Sequence, residues 1–485
     1  MVATRLNRPL IWDIYRGVHP PHEYVWDGTG ELPLDPRDLE TITIVWTDSL
    51  ARLEAIASIA LEHDPRTPVI RSLGLLAEVR LGKLYLRSIQ GATGGVIEDM
   101  EDGVSWIDSW WDRFRIRPSF SLPSSAVRLW RSTLTEPIPV DPEPLPDCHR
   151  ALAGGYACVL DTRPHEHIET WDIRSAYGAV MRDERFPTGR ARRITREKPG
   201  RPCIYYARWQ SPPDIRLPIL PLRLEDGALA WVRGRGEGWI TAPEVEYARE
   251  VGYEVEVAAG WEWEDWCAPF GRFVSLVEEA RQDPWLAETA KLLPPMLYGR
   301  FAVPPLGLEV FRPRSQEDLE GAEAVDKEGR VWKRRTDYPE RLRHPVWAAY
   351  IAAHQRITLH RAAMAIGPER IICGHTDSLT LPAGIAEHHL TTGETFGTWR
   401  CARRYSVYRA LSATTGIGRD AETGTWLRRG NPPRKTPTQL LRMKLTDLRD
   451  DTILSGVRCR RSHSPSWRLL PDGTTAPYER DDHAL

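Results

Sequence analysis

Hydrophobic and polar positions divide the chain into segments of two periods. YACVLDT (156–162) and HIETWDI (167–173) alternate like strands, and the turn-like RPHE between them predicts a hairpin. TAPEVEYAREVG (241–252) changes to helical spacing, with a proline in its first turn and a closing glycine, before YEVEVAAGWEW (253–263) returns to alternation. FVSLVEEARQ (273–282) and WLAETAKLL (285–293) read as helices about a turn at Asp283-Pro284. PVWAAYIAAHQRITLHRAAMAIG (345–367) reads as a long amphipathic helix stopped by glycine. That helix feeds RIICGHTDSLTLP (370–382), two short apolar runs around a polar tip. Strands and helices are mixed without an internal repeat, so the pattern predicts an α+β fold in which a sheet is backed by helices.

Composition narrows the class. The 485 residues are 41% hydrophobic, enough to bury a sizeable core in several subdomains. Apolar runs are broken by charge well short of a membrane span and the N-terminus has no secretory pattern, so a soluble intracellular protein with no membrane partner is expected. Seven scattered cysteines with no CxxC pair read as reduced and structural. TEPIPVDPEPLPD (135–147) reads as a proline-stiffened linker, with a boundary near 148. Net charge is only −2, yet residues 400–461 hold fifteen Lys/Arg against five Asp/Glu. Such a basic segment points to a polyanionic partner, usually nucleic acid, because each phosphate contact releases counterions.

Two strand patterns end on an aspartate: HIETWDIRSAY at Asp172, where the chain turns into a helix start, and IICGHTDSLTL at Asp377, at a hairpin tip. Brought together on adjacent strands, two carboxylates repel unless cations lie between them. A divalent pair is the usual answer in phosphoryl transfer, and magnesium suits it because water and substrate phosphates complete its octahedron. Taken singly, each aspartate is an ordinary turn residue. Between them lies a third segment, AKLLPPMLYGRF (290–301), with Lys291 on a helix and Tyr298-Gly299 seven residues on.

The order DIRSAY, KLLPPMLYG, HTDS resembles the three polymerase motifs of family B DNA polymerases, usually written DxxSLYP, KxxxNSxYG and YxDTDS. AGGYACVLDTRPHEHIETWDIRSAYGAVM (153–181), FPTGR (186–190) and AAYIAAHQRITLHRAA (348–363) resemble the flanks in the protein-primed phage and plasmid branch, so the resemblance covers about residues 150–410. It implies a right-hand architecture, with a palm sheet backed by helices, helical fingers and a small thumb. The corresponding domains are an N-terminal, degenerate exonuclease-like domain (1–147), palm (148–260), fingers (261–303), an insertion (304–344), palm (345–400) and a basic thumb or C-terminal region (401–485). By the same resemblance Asp172 and Asp377 hold two Mg2+ ions, with Mn2+ as the alternative. The backbone near Ile173 and Arg174, with Ser175, supports a triphosphate, and Tyr177 lies under the incoming sugar and selects deoxynucleotides. Lys291 and Arg281 grip phosphates, while Tyr298 and Gly299 meet the templating base, Gly because nothing larger fits. Thr376 and Ser378 flank the catalytic aspartate on the substrate side, and Arg403, Arg404 and Tyr405 touch the DNA primer strand. The implied partners are primer-template DNA, deoxynucleoside triphosphates and a terminal protein primer, in the cytoplasm of a bacterial or phage-infected cell.

Three departures stand out. The Asn-Ser pair is Pro295-Met296 after Pro294, and two prolines remove helix donors at about 3 kcal/mol each unless the helix kinks. The proline after the motif tyrosine is Gly178, a looser turn. His375 replaces the first aspartate of DTD, which leaves Asp377 as direct ligand and His375 to orient a water or the primer end from just outside the metal site. In PLIWDIYRG, Tyr15 stands where an exonuclease DxE after Asp13 needs glutamate, and IEDMEDG (97–103) reads as a solvated turn, so no proofreading is expected. HEH (165–167) at a strand start reads as a poor metal pair. The leading expectation is a template-directed DNA polymerase adding deoxynucleotides to a 3′-hydroxyl, in replication of a phage, plasmid or other mobile element. The rivals are a catalytically impaired, polymerase-like nucleic-acid-binding protein and a metal-dependent nuclease.

Overall fold

The computed structural model describes residues 100–116, 118–119, 121–136, 138, 144–223, 229–302, 344–412, 415–430 and 437–442, together with ten short strands outside them. It divides into two compact units: 1–137 with 269–300, and 138–268 with 301–485.

The first unit contains the antiparallel sheet β2-β1-β3-β4-β5, formed by β1 (Leu10–Asp13), β2 (His22–Val25), β3 (Ile44–Thr47), β4 (Leu75–Arg80) and β5 (Lys83–Ser88). Asp13 ends β1, while Tyr15 falls outside the described residues. The acidic stretch read as a turn behaves differently, since Met100–Phe114 is a helix and the MEDG portion forms its first turn. Trp106, Trp110 and Phe114, four residues apart, bury one face of this helix, and that helical spacing carries the helix back over the acidic residues. Trp106 and Trp110 of this helix are fully buried, and the Trp106 indole N–H donates to Thr289 Oγ1 at 2.9 Å. As predicted, helices Gly271–Ala280 and Ala287–Phe301 flank a turn in which the Asp283 carboxylate accepts the N–H groups of Trp285 and Leu286. Helix Ala287–Phe301 runs through Pro294 and Pro295. Its buried Leu293 and Leu297 anchor it by packing, at roughly 1.5–3 kcal/mol each, which offsets the two missing donors.

The second unit is built on a seven-stranded antiparallel sheet of order β21-β20-β19-β7-β18-β17-β6. Its strands are β6 (Ala157–Val159), β7 (His165–Ile173), β17 (Cys373–His375), β18 (Ser378–Pro382), β19 (Trp399–Ala410), β20 (Gly416–Asp420) and β21 (Trp426–Arg429). The hairpin expected between residues 156 and 173 does not form: β6 pairs with β17, and β7 pairs with β18 and β19. Alternation fixes which face each side chain takes but not the partner, and the β17–β18 hairpin inserts between the two strands. The smaller sheet β12-β9-β13-β8 comprises β8 (Phe186–Ile194), β9 (Cys203–Gln210), β12 (Arg235–Thr241) and β13 (Glu254–Cys267). Two further small sheets are β10–β11 (Pro221–Arg223, Leu229–Trp231) and β14-β16-β15 (Leu308–Phe311, Val331–Arg334, Ala322–Val325), the latter within the predicted insertion. Helix Ala242–Glu250 starts at a capping box in which Thr241 and Glu244 exchange hydrogen bonds.

Helix Pro345–Ile366 is less amphipathic than its sequence suggests, because every residue from Pro345 to Ala353 is buried and so are Gln355, Arg356 and His360. It lies on the seven-stranded sheet, where its Leu359, Ala363 and Ile366 share one core with Trp171, Ile173, Leu379, Leu381 and Trp399. Strand alternation therefore turns Asp172, Thr170 and Ile168 to the opposite face, away from this helix.

Candidate active site

Register brings the two aspartates together. Ser378 of β18 lies opposite Asp172 of β7, and the Ile173 N–H donates to the Asp377 carbonyl at 2.9 Å. The same cross-strand row continues from Arg400 on β19 through Asp172 and Ser378 to His375 on β17. Residues opposite one another across a sheet share a face, so a guanidinium, a carboxylate, a hydroxyl and an imidazole stand side by side at strand spacings of about 4.8 Å.

The hairpin tip is held in a strained shape. Thr376 has φ +53°, a left-handed conformation that a β-branched residue adopts only when its surroundings impose it. Its N–H donates to the Tyr156 carbonyl at 2.6 Å, and its carbonyl accepts from the Gln355 side-chain amide. A Cβ on Gly155 would stand 2.7 Å from Thr376 Cγ2, so the glycine is what permits this approach. Arg356, next to Gln355, donates to the carbonyls of Ala153 and Gly154, both at 2.7 Å, and forms a fully buried ion pair with Glu244 at 2.5 Å. Gly155, Tyr156, Gln355 and Arg356 were not singled out as site residues from sequence. Their signal was two consecutive glycines before a strand and two long polar residues on the most apolar helix of the chain.

Asp172 is followed by a second strained residue, Ser175, at φ +47°, and then by helix Ala176–Asp183. The N–H groups of Ile173 and Arg174 are already committed, to the Asp377 and Thr398 carbonyls, and the helix begins two residues after Arg174. First-turn N–H groups have no intrahelical acceptor and face anions favourably. The Arg174 side chain is tied to Gly393 and Glu394. Gly178 is no looser turn: it is a helical residue where a Cβ would meet Ser175 Oγ at 2.6 Å and the Phe396 ring at 2.9 Å. Tyr177 follows Ala176 in the first turn and is half-buried.

Burial, and then the neighbouring Asp172 charge, raise the Asp377 carboxyl to about 6, with Arg429 and Arg400 offsetting part of the effect. Arg400 Nη2 lies 3.2 Å from Asp172 Oδ2. Of the three residues expected on the primer, Arg403 and Tyr405 register with Thr170 and Ile168 and share the face of Asp172. Arg404 does not: a β-bulge between Cys401 and Arg403 resets the strand so that Arg404 registers with Glu169, to which its Nε donates at 3.0 Å. Burial favours the neutral form of Glu169, but hydrogen bonds from Trp171 and Arg404 overcome it and hold the carboxyl below the usual range. Arg404, itself exposed, is thus paired with the buried Glu169 on the face opposite Asp172.

Lys291, Arg281, Tyr298 and Gly299 belong to the other unit. Lys291 is exposed, 3.8 Å from Glu288, and Tyr298 stands two helical turns further on. A Cβ on Gly299 would meet no described atom within 4 Å, so the chain itself does not demand glycine there.

The residues present fit a divalent cation. Asp377 lies close enough to Asp172 for that charge, after burial, to raise its carboxyl, and two hard oxygen donors of this kind suit magnesium. Among the described residues no group of three or more His, Cys, Asp or Glu makes an all-protein metal cage, HEH (165–167) included.

Residues 105–329 match the family of organellar and viral type B DNA polymerases. A probable DNA polymerase of Neurospora intermedia is 27% identical over 218 residues, covering 41% of this chain and 22% of that protein. One of Ascobolus immersus is 25% identical over 189 residues, covering 36% and 16%. The chain thus matches about a fifth of the length of these curated relatives. Among solved structures, phi29 DNA polymerase complexed with primer-template DNA and incoming nucleotide has a TM-score of 0.52 at 18% identity, covering 65% of this chain and 58% of that one. The phi29 complex with primer-template DNA after translocation gives 0.53 at 14% identity, over 74% and 73%. The α+β polymerase fold and the resemblance to the type B polymerases, read above from three short motifs, are borne out.

Proposed function

We propose that this chain, which carries the polymerase fold and the sequence signature of the organellar and viral type B family, is a template-directed DNA polymerase. It adds deoxynucleotides to a primer 3′-hydroxyl in replication of a phage, plasmid or other mobile element. The observation that carries this reading is the pairing of β7 with β18, which sets Asp172 beside the tip that bears Asp377. Asp172 and Asp377 hold the divalent cations, which when bound activate the attacking hydroxyl and neutralise the leaving pyrophosphate. The first-turn N–H groups from Ala176 to Gly178 bind triphosphate oxygens, and the Tyr177 ring under the sugar leaves no room for a 2′-hydroxyl. Lys291 adds a mobile positive charge on the phosphates, and Arg403 and Tyr405 hold the primer strand on the same sheet face as Asp172. The strands of the insertion help to enclose DNA, and a terminal protein serves as primer.

The test is primer extension with magnesium by wild type, Asp172→Asn and Asp377→Asn. Both variants should lose nucleotide addition and keep DNA affinity, since affinity comes from basic residues elsewhere. Near-normal extension by either would end the two-metal assignment. A second reading, a polymerase-like DNA-binding protein without catalysis, is favoured by His375 in the place of an aspartate and by Arg400 on Asp172. It requires wild type itself to be inactive while still binding primer-template DNA.

A further inference from the structure

We propose that Arg400 is a resident counter-charge of the aspartate pair, which a divalent cation must displace from Asp172 before the site can load. The inference rests on the reading of Asp172 and Asp377 as metal ligands and concerns what occupies them beforehand. Arg400 is not a chance surface contact. It is the residue directly opposite Asp172 across β7 and β19, its Nη2 is 3.2 Å from Asp172 Oδ2, and on the other side Asp172 meets only the neutral Ser378. Among the described residues Asp172 is the hydrogen-bonded partner of the guanidinium, whose Nε is buried without one. A side chain anchored through one carboxylate, with 37% of its own surface open, can swing away without breaking other bonds.

Charge balance gives the pairing its consequence. With His375 in the place of a carboxylate, the row across the sheet offers the cation Asp172 and the adjacent Asp377, and Arg400, paired with Asp172, opposes one of these two negative charges while Arg429 acts on Asp377. While Arg400 stays on Asp172, its positive charge opposes an incoming cation and lowers its affinity. The pair therefore keeps the metal-free sheet intact and sets the metal concentration at which the site fills. A guanidinium that was a permanent support for the ligand geometry would do the opposite, and its removal would weaken metal binding.

Manganese binding, followed by the loss of the free-ion electron paramagnetic resonance signal, separates these roles without relying on activity. It is measured on the full chain as wild type, Arg400→Gln, Arg400→Lys and Asp172→Asn. Arg400→Gln should bind Mn2+ about five- to fiftyfold more tightly than wild type, the range expected for removing one unit charge at a half-exposed site. Arg400→Lys should stay nearer wild type, and Asp172→Asn should lose the site. The metal-free melting temperature of Arg400→Gln should fall below that of wild type, and saturating Mn2+ should restore it, which also shows that the variant folds. Equal or weaker Mn2+ binding by a folded Arg400→Gln overturns the proposal and leaves the metal site standing. Absence of binding in all four proteins removes the metal-site reading and this inference with it.

Discussion

Two carboxylates of the second unit show how the same chemical group is used in opposite ways. Glu262 on β13 is 3% exposed and is met by two arginines, Arg192 Nη2 at 2.9 Å and Arg201 Nε at 2.9 Å. Burial works against its ionised form, but the hydrogen bonds and charges of Arg201 and Arg192 prevail and leave its carboxyl below the ordinary range. Asp377 sits on a strained tip beside a second carboxylate, and burial with that neighbour raises it to about 6. A compensated acid stabilises the fold; one that its arginines compensate only in part is kept in place by the fold at a cost. The second arrangement persists only where the surrounding structure enforces it, and it is the arrangement that the proposed cation site would need.

The contrast predicts its largest effect on chemistry. Asp377→Asn should reduce extension by about a thousandfold or more, the scale on which loss of an essential electrostatic group is felt. Glu262→Gln, with a similar loss of one negative charge from the same unit, should extend primers within about threefold of wild type at a temperature where it is folded. Single-turnover extension of a labelled primer measures both, and a Glu262→Gln defect as deep as that of Asp377→Asn would remove the distinction between the two acids.

Stability should move the other way. Because the Asp377 carboxyl is raised from 3.8 to about 6 on folding, the metal-free fold binds that proton more readily than the unfolded chain does. Its contribution is fully present below about pH 4 and is lost as pH rises through about 6. Asp377→Asn should therefore stabilise the metal-free protein by about 1–3 kcal/mol at pH 8 and by nothing below pH 4. Glu262 is depressed, so its contribution is present above the ordinary glutamate range and is lost as pH falls. Glu262→Gln should destabilise by about 1–3 kcal/mol at pH 8, and the deficit should close in acid. Urea titrations in chelator at several pH values would show both trends, and a destabilised Asp377→Asn at pH 8 would mean that the tip aspartate is compensated after all.

What could be read in advance follows from the same contrast. The helix ending at Ile366, the strand through Asp172 and the tip at Asp377 were legible because periodicity and turn residues are local signals. The pairing of β6 with β17 was not, since it joins residues more than two hundred positions apart and leaves no mark on local alternation. Nor was the placement of Arg404, because a single bulged residue at Ala402 decides which face of β19 it takes, and Arg404 looks like its neighbour Arg403 in sequence. Arg400 opposite Asp172 had no sequence signal at all; only the register reveals it. Conversely, the glycine pair at 154–155 was visible, and its purpose was hidden until Thr376 was seen against it.

That contact yields a smaller effect. Gly155→Ala forces a Cβ to within 2.7 Å of Thr376 Cγ2, and Gln355→Ala removes the amide that holds the Thr376 carbonyl. Either change should let the tip drift and lower the extension rate about ten- to a hundredfold, the penalty for misplacing a reacting group by about 1 Å, with primer-template affinity nearly unchanged. Gln355→Glu, which keeps the shape but cannot donate when ionised, should resemble Gln355→Ala rather than wild type. Titrating the extension rate against primer-template concentration separates the two terms, and loss confined to DNA affinity would show that the helix serves the duplex and not the tip.

The smallest expected effect concerns His375, which shares a face with Asp172 but stands beyond Ser378 in the row. Two strand spacings, close to 10 Å, separate it from Asp172, where Coulomb effects are weak and partly screened, and its nearer approach to the cation is by way of Asp377, two residues along the chain. His375→Asp adds a carboxylate at that distance and should lower the half-saturating magnesium concentration by about two- to fivefold while keeping or raising the rate. His375→Ala should change either quantity by about twofold at most if the ring only orients water. Extension rates measured from low to saturating magnesium decide between these outcomes. If His375→Asp is inactive while wild type extends primers, the imidazole makes a specific contact that a carboxylate cannot replace. If instead wild type is inactive and His375→Asp extends primers, the substitution at this position silenced an otherwise complete site, and the contrast between Glu262 and Asp377 describes a site that no longer turns over.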